Sequence, residues 1–300
     1  MNASEDKLAV ERLYREYKPL LTSIAYRMLG SMSEAEDAVQ DVFVSFSRLR
    51  GAEIEHPKAY LVKMVANRAL NMMKAAPRRR ESYPGPWLPE PIIEADDPHA
   101  PLGQLMRRER LGYALLVLLQ TCTPPERAVF VLRESFGYDY ADIAAMLDKS
   151  AAACRKIFSR ASAKIGHPQR EAAEEDASDP AMDRFVRSFA DALESGRAEA
   201  FVHLLADDAM LLSDGGGIVR AALNPIEGRA RIAAFFVGIA GKGALAGRWH
   251  RVRISGQRGL LLERDGLPPI AFALAPDDRL DMVREIYLVS NPHKLTRIAR

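Results

Sequence analysis

The sequence predicts two all-helical domains followed by an α+β domain, and three observations carry the prediction. Apolar residues recur at helical spacing through residues 6–80, and a short helix, a tight turn and a second helix follow within 107–170. Two segments of different composition interrupt these blocks, one rich in proline (81–106) and one acidic (171–180). From 181 to 300 the pattern turns to glycine-bounded apolar runs of strand length after an opening pair of helices, the mark of helices laid on one face of an antiparallel sheet. The domain boundaries are therefore 1–80, 81–106, 107–170, 171–180 and 181–300.

In the first domain a helix spans Asp6–Leu29, with Leu13, Tyr17, Leu20, Leu21 and Ile24 on one side and Gly30 ending it. Ser33 is placed to cap the next helix, with Glu36 three residues on, and Val39, Val42, Phe43 and Phe46 follow i, i+3, i+4, i+7. After a loop at Gly51–Pro57, Lys58–Lys74 repeats Leu61, Val65, Ala69 and Met73 at spacings of four, with Lys63, Arg68 and Lys74 off that stripe and Arg78–Arg80 beyond it. Such a surface suits a phosphate backbone, although surface helices are often basic.

The linker 81–106 holds six prolines (84, 86, 89, 91, 98 and 101), which exclude a continuous helix. Its Trp87, Leu88, Ile92 and Ile93 are too apolar for water, so part of it is expected on a domain surface. Past it, Pro124-Pro125 opens a helix over Glu126–Phe136, Gly137 breaks it, Ala141–Leu147 forms a short helix, and Ser150 caps a last helix, Ala151–Ile165. Lys156, Arg160 and Lys164 recur at i, i+4, i+8 with Arg155 beside them, and no acid occurs from 149 to 170. This is the arrangement of a recognition helix that enters the major groove of DNA.

In the third domain Met182–Ser195 and Glu199–Leu205 read as helices, Ala209–Ser213 as a strand, Asp214–Gly217 as a glycine turn and Val219–Ala222 as the returning strand. A helix through Phe236 and strands at Trp249–Ile254, Gly259–Glu263, Ile270–Ala275 and Met282–Val289 follow. The consecutive glycines read first as a backbone requirement. His203 reads as a packed or surface histidine, His250 and His293 have no metal-ligand spacing, no nucleophile–base pair or dinucleotide loop is visible, and the two cysteines, Cys122 and Cys154, cannot build a multi-cysteine metal site. The expectation is a protein that is not an enzyme and takes no cofactor or metal. The net charge of +2 says little about partners, because a basic face can sit beside an acidic one. A polar N-terminus and the lack of an 18-residue apolar run point to a cytoplasmic protein with no membrane partner.

The order of these parts resembles an extracytoplasmic-function (ECF) RNA polymerase sigma factor. Gly30–Phe43 (GSMSEAEDAVQDVF) is close to that family's pattern for the helix that docks on the polymerase clamp, and Leu61–Asn71 (LVKMVANRALN) resembles the next helix, which faces the −10 element. Thr123–Phe130 (TPPERAVF) and Tyr140–Ala144 (YADIA) resemble the opening of sigma region 4, whose last helix reads the −35 element. Gly85–Pro91 (GPWLPEP) is similar to the linker signature of the ECF41, or SigJ-like, group, which carries a C-terminal SnoaL-like domain of the nuclear-transport-factor-2 (NTF2-like) cone type. That group has a DGGGK-type loop and an NPDKL-type tail. Here they read Asp214-Gly215-Gly216-Gly217-Ile218 and Asn291-Pro292-His293-Lys294-Leu295, with Ile218 in place of a basic residue and His293 in place of an acidic one.

The resemblance implies a promoter-specificity subunit that works with bacterial core RNA polymerase, through its beta and beta-prime subunits, and with promoter DNA, and that is a monomer when free. It assigns −35 reading to Ser150, Arg155, Lys156, Arg160 and Lys164, and −10 contacts to Lys58, Lys63, Asn67, Arg68, Asn71 and Lys74. Polymerase docking falls to Glu36, Asp37, Gln40, Asp41 and Phe43. A regulatory contact falls to Trp87, Leu88, Pro89, Glu90 and Pro91 with Asp214, Gly215, Gly216, Gly217, Asn291, Pro292, Lys294 and Leu295. A small ligand in the third domain stays open, as does the alternative of a SnoaL-type sensor or enzyme fused to a DNA-binding module.

Overall fold

The computed structural model describes residues 3–49, 54–75, 82–94, 112–166, 186–192, 202–277 and 282–298. The expected Arg78–Arg80 extension, most of the Gly51–Pro57 loop, the second half of the proline-rich linker and the acidic linker lie outside the described residues. The described residues form two compact units: those up to 75 and from 118 to 166 in one, and those at 82–94, 112–117 and from 186 onward in the other.

The first unit is all helix. Helices α1 (Ala3–Leu29), α2 (Met32–Ser47) and α3 (Pro57–Ala75) bury the predicted stripes: Leu21 and Ile24, then Val39, Val42, Phe43 and Phe46, then Leu61, Val65, Ala69 and Met73. Gly30, at φ 75°, ends α1 with its N–H on the Tyr26 carbonyl at 2.7 Å, a left-handed stop that glycine adopts without strain. The N-cap of α2 is Ser31, whose hydroxyl accepts the Glu34 N–H at 3.4 Å, and not Ser33. The helix begins at Met32, so Ser33 already sits in its first turn.

After α4 (Tyr113–Leu118) and a 3₁₀ turn at Leu119–Thr121 come α5 (Pro124–Phe130), α6 (Tyr140–Leu147) and α7 (Ala151–Ile165). The single helix expected over Glu126–Phe136 is instead α5 continued by a π-helical turn, Val131–Ser135. Asp139 caps α6 through the Asp142 N–H at 2.8 Å, Asp148 ends it at φ 51°, and Ser150 caps α7 through the Ala153 N–H at 3.1 Å. Ile143, Ala144, Leu147, Cys154 and Ala161 fill the seam, with Phe130 stacked on Phe158 at 5.6 Å. The first unit joins α5, α6 and α7 to the first three helices, whereas residues 113–117 of α4 belong to the second unit. Buried Arg127 donates from Nη1 to the Met28 carbonyl at 2.9 Å, satisfying an acceptor of the last turn of α1.

The second unit is α+β. Its sheet holds β1 (Ile93–Glu94), β2 (Leu205–Asp214), β3 (Ile226–Glu227), β4 (Arg248–Ile254), β5 (Gln257–Arg264), β6 (Leu267–Pro276) and β7 (Val283–Val289), in the order β1-β4-β5-β6-β7-β2-β3. Neighbours are antiparallel except β2 and β7. Helix α8 (Arg229–Ala240) and the helical residues 186–192 pack on one face, where Phe189, Phe236 and Phe272 lie with ring centroids 5.7 to 6.4 Å apart in a core that includes Leu211, Leu260, Leu274 and Ile286.

The closed SnoaL-like or NTF2-like cone that the resemblance implied is not formed. The sheet is open: its outer strands, β1 and β3, are two residues each and do not pair with one another. Closure needs two edge strands long enough to share a ladder. At one edge the expected strand Val219–Ala222 is turn and irregular chain, leaving only Ile226–Glu227. At the other edge the proline-rich linker supplies the last strand, with Ile93 opposite Ile254 and Glu94 opposite Arg253. The expected helix Glu199–Leu205 also differs, since Leu205 already begins β2, while residues 199–201 lie outside the described residues.

Candidate functional site

Helix α7 presents Arg155, Lys156 and Arg160 exposed, on the side away from Cys154, Ala161 and Ile165. The other two predicted readers have structural duties. Ser150 spends its hydroxyl on the N-cap of α7. Lys164 places Nζ 2.6 Å from Glu126 Oε2, and the same oxygen accepts the Thr123 N–H at 2.8 Å. Burial alone would raise the Glu126 pKa, but the Lys164 ammonium and the Thr123 hydrogen bonds hold the carboxyl below its ordinary 4.5.

On α3, Lys58, Arg68, Asn71 and Lys74 are exposed. Lys63 and Asn67 are half-buried against α6: Asn67 Nδ2 donates to the Met146 carbonyl at 2.7 Å and to the Lys63 carbonyl at 3.0 Å, and Lys63 Nζ lies 3.6 Å from Asp148. On α2, Asp37, Gln40 and Asp41 are exposed and Glu36 is half-buried. Phe43 is not on the surface. It is 6% exposed, edge-on to Tyr14 at 4.9 Å. Arg68 donates to Asp41 Oδ2 from Nη2 at 2.6 Å and from Nε at 2.9 Å, so one predicted docking acid and one predicted −10 cation bind each other. The pair is half-exposed and contributes little to stability.

In the second unit a polar cluster centres on Asp214, 1% exposed at the end of β2. Its Oδ1 accepts the Tyr83 hydroxyl at 2.5 Å and the Gly216 N–H at 3.0 Å. Its Oδ2 accepts the Leu88 N–H at 2.9 Å and Lys294 Nζ at 2.7 Å. Its carbonyl accepts the N–H groups of Ser290 and Asn291. Lys294 also donates to the Leu88 carbonyl at 2.5 Å and lies 4.1 Å from the Trp87 ring centroid and 5.0 Å from that of Tyr83. Asn291 Nδ2 donates to the Tyr83 oxygen at 2.9 Å, and Asn291 Oδ1 caps the 3₁₀ turn Pro292–Lys294. Leu88, Pro89, Glu90, Pro91 and Leu295 are buried around this cluster, and Glu90 faces Arg297 at 3.9 Å. Burial, then the bond to Asp214, pushes the Tyr83 phenol well above its ordinary range, so it stays a proton donor.

The glycine loop makes this packing possible. A Cβ on Gly216 would meet Asn291 Nδ2 at 2.3 Å, one on Gly215 the Val219 carbonyl at 2.1 Å, and one on Gly217 the Pro84 ring at 2.6 Å. The two departures from the motif lie at the margin: Ile218 is 54% exposed, and His293 enters through its backbone N–H to Asn291.

Tyr83 is central to the cluster and was not singled out by the sequence, where its only signal is an aromatic residue among prolines. Tyr113 was also not singled out; it opens α4, its hydroxyl donates to the Pro89 carbonyl at 2.6 Å and its ring stands edge-on to Tyr287 at 5.8 Å. Among the described residues no three His, Cys, Asp or Glu side chains are grouped to hold a metal, and no helix is long and apolar enough to cross a membrane.

Comparison with known proteins agrees with this layout. Residues 13–79 match the model of Sigma-70 region 2, and residues 113–165 that of Sigma-70 region 4. The chain is 30% identical over 287 residues to the ECF RNA polymerase sigma factor SigJ of Mycobacterium tuberculosis, covering 92% of this chain and 90% of that protein. It is 30% identical over 203 residues to the probable ECF RNA polymerase sigma factor SigI of the same species, covering 65% and 67%. The crystal structure of Mycobacterium tuberculosis SigJ superposes with a TM-score of 0.76 at 27% identity, over 95% of this chain and 98% of that one. A relationship that runs nearly end to end through both helical domains and the α+β domain places this chain in the family of ECF RNA polymerase sigma factors, non-catalytic subunits that direct transcription initiation at promoters.

Proposed function

We propose that this sigma factor belongs to the ECF41, or SigJ-like, group and that its C-terminal α+β domain modulates its activity by holding the interdomain linker. The observation that carries the reading is the Asp214 cluster, which gathers Tyr83, Leu88, Asn291 and Lys294 around one buried carboxylate. A linker fixed at this point restricts the separation available to the two helical domains, and that separation sets whether −10 and −35 elements can be read together. In this reading Arg155, Lys156 and Arg160 contact the −35 element, Lys58, Arg68, Asn71 and Lys74 serve the −10 region, and Asp37, Gln40 and Asp41 face the beta-prime subunit of core polymerase in the cytoplasm. Lys63 and Asn67 join the −10 set once they leave α6.

The test is run-off transcription with core polymerase using Asp214→Asn, Lys294→Met and Tyr83→Phe beside the unchanged chain. Removing one partner of a buried ion pair costs about 3–5 kcal/mol locally, enough to free the linker. The expected result is a change of more than about threefold in transcript yield, shared in direction by all three variants, since about 1.4 kcal/mol already shifts a two-state equilibrium tenfold. Unchanged yields from all three would contradict the regulatory role.

A further inference from the structure

We propose that Tyr140 is a positioning residue for promoter reading: its ring holds the guanidinium groups of Arg155 and Arg133 at the mouth of the helix-turn-helix. The proposal rests on Arg155 acting in −35 reading, as set out above, and extends it to two residues outside that set.

Three features meet here. Tyr140 is the first residue of α6, half-buried, with its ring edge-on to Phe158 of α7 at 6.0 Å, and Phe158 is itself stacked on Phe130 of α5. The ring thus packs on Phe158 of α7, which is itself backed by Phe130 of α5. Two cations gather on it. The Arg133 guanidinium carbon lies 4.9 Å from the ring centroid and that of Arg155 lies 5.8 Å away, both within cation–π range. Arg133 is brought there by the π-helical turn Val131–Ser135, an irregularity that often marks functional positions, and is tied by Nη1 to the Tyr138 carbonyl at 3.0 Å.

Two like charges gathered on one face of a protein repel unless something attractive lies between them or an anion joins them. The aromatic face supplies the first, and a DNA phosphate or a guanine edge would supply the second. Arg155 stands in the second turn of α7, within the N-terminal half that reads bases in a recognition helix. An exposed arginine otherwise loses rotamer freedom on binding, and a ring that orients it beforehand lowers that loss.

The experiment measures run-off transcription by core polymerase with full-length protein, on a template recovered from its own genome and on the same template with a scrambled −35 element. The ratio of the two yields is the readout. Arg155→Ala, Tyr140→Leu, Tyr140→Met, Tyr140→Phe and the Tyr140→Leu/Arg155→Ala pair are compared. The expected outcome is a ratio lowered roughly two- to fivefold by Tyr140→Leu and Tyr140→Met, the scale of an exposed cation–π contact, and kept by Tyr140→Phe. The double variant should do no worse than Arg155→Ala alone. Tyr140→Met serves if the leucine variant does not fold. A Tyr140→Phe variant as impaired as the leucine one, additive losses in the pair, or ring-free variants that keep the ratio while Arg155→Ala lowers it would each overturn the positioning role. If Arg155→Ala itself leaves the ratio unchanged, −35 reading by Arg155 falls first and the proposal with it.

Discussion

At the residue scale the molecule turns on Asp214 and the glycines beside it. A buried carboxylate is tolerated when it is paired and hydrogen-bonded. Both oxygens of Asp214 are bound, and Lys294 supplies the opposite charge. Gly216 adopts φ 64° and touches Asn291, so Gly216→Ala meets both backbone strain and a clash. The expected cost is about 1–3 kcal/mol, the range for a strained left-handed residue, read as a lower urea midpoint of the full chain with a freer Tyr83. An unchanged midpoint would mean that the loop relaxes elsewhere. The resemblance to the ECF41 group is what pointed to Trp87–Pro91, Asp214–Gly217 and Asn291–Leu295; the residues themselves showed only a glycine run and a linker whose apolar Leu88 and Ile93 could not be left in water. Tyr83 was not legible, because an isolated tyrosine in a proline-rich segment has no periodicity to assign it a face.

At the element scale, helices were readable wherever a period of 3.6 repeats over several turns, as in α2, α3 and α7. Their ends were less so. Ser31 and Ser33 are chemically equal caps, and only the position of the first turn separates them. The π-helical turn at Val131–Ser135 was invisible, since five residues cannot distinguish a ladder of i−5 bonds from one of i−4. Lys164 shows a contact that spacing does not reveal: a cation at recognition-helix spacing also ties the end of α7 to the start of α5 through Glu126. Because Glu126 is held below its ordinary 4.5 in the folded state, its contribution is present above that pH and is lost as the pH falls through the folded value. Urea midpoints measured from pH 7 to pH 3 should therefore fall with acid less steeply for Glu126→Gln than for the unchanged chain. Parallel acid profiles would show that the pair has no net effect.

At the scale of the whole molecule, two helical blocks and an α+β block followed from composition and period, and their reading as sigma regions from the resemblance, but the form of the sheet did not. Whether strands close into a cone depends on pairing between distant edges, and nothing local records that β1 would come from a linker about 160 residues ahead of its partners in β4. The described part of the linker, residues 82–94, thereby belongs to the second unit: it adds a strand, buries Leu88 and Ile93 and binds Asp214. Proline content marked it as irregular, and irregular chain can still be held rigidly when its backbone groups find partners. The central claim is that this chain directs polymerase to promoters. Run-off transcription from a library of genomic upstream regions tests it most directly, comparing core polymerase alone, core with the full chain, and core with a chain ending at Gln169. Specific transcripts that appear only when the chain is added, and that change in amount when residues 170–300 are removed, are the predicted result; no specific transcript from folded protein and active core enzyme would contradict it.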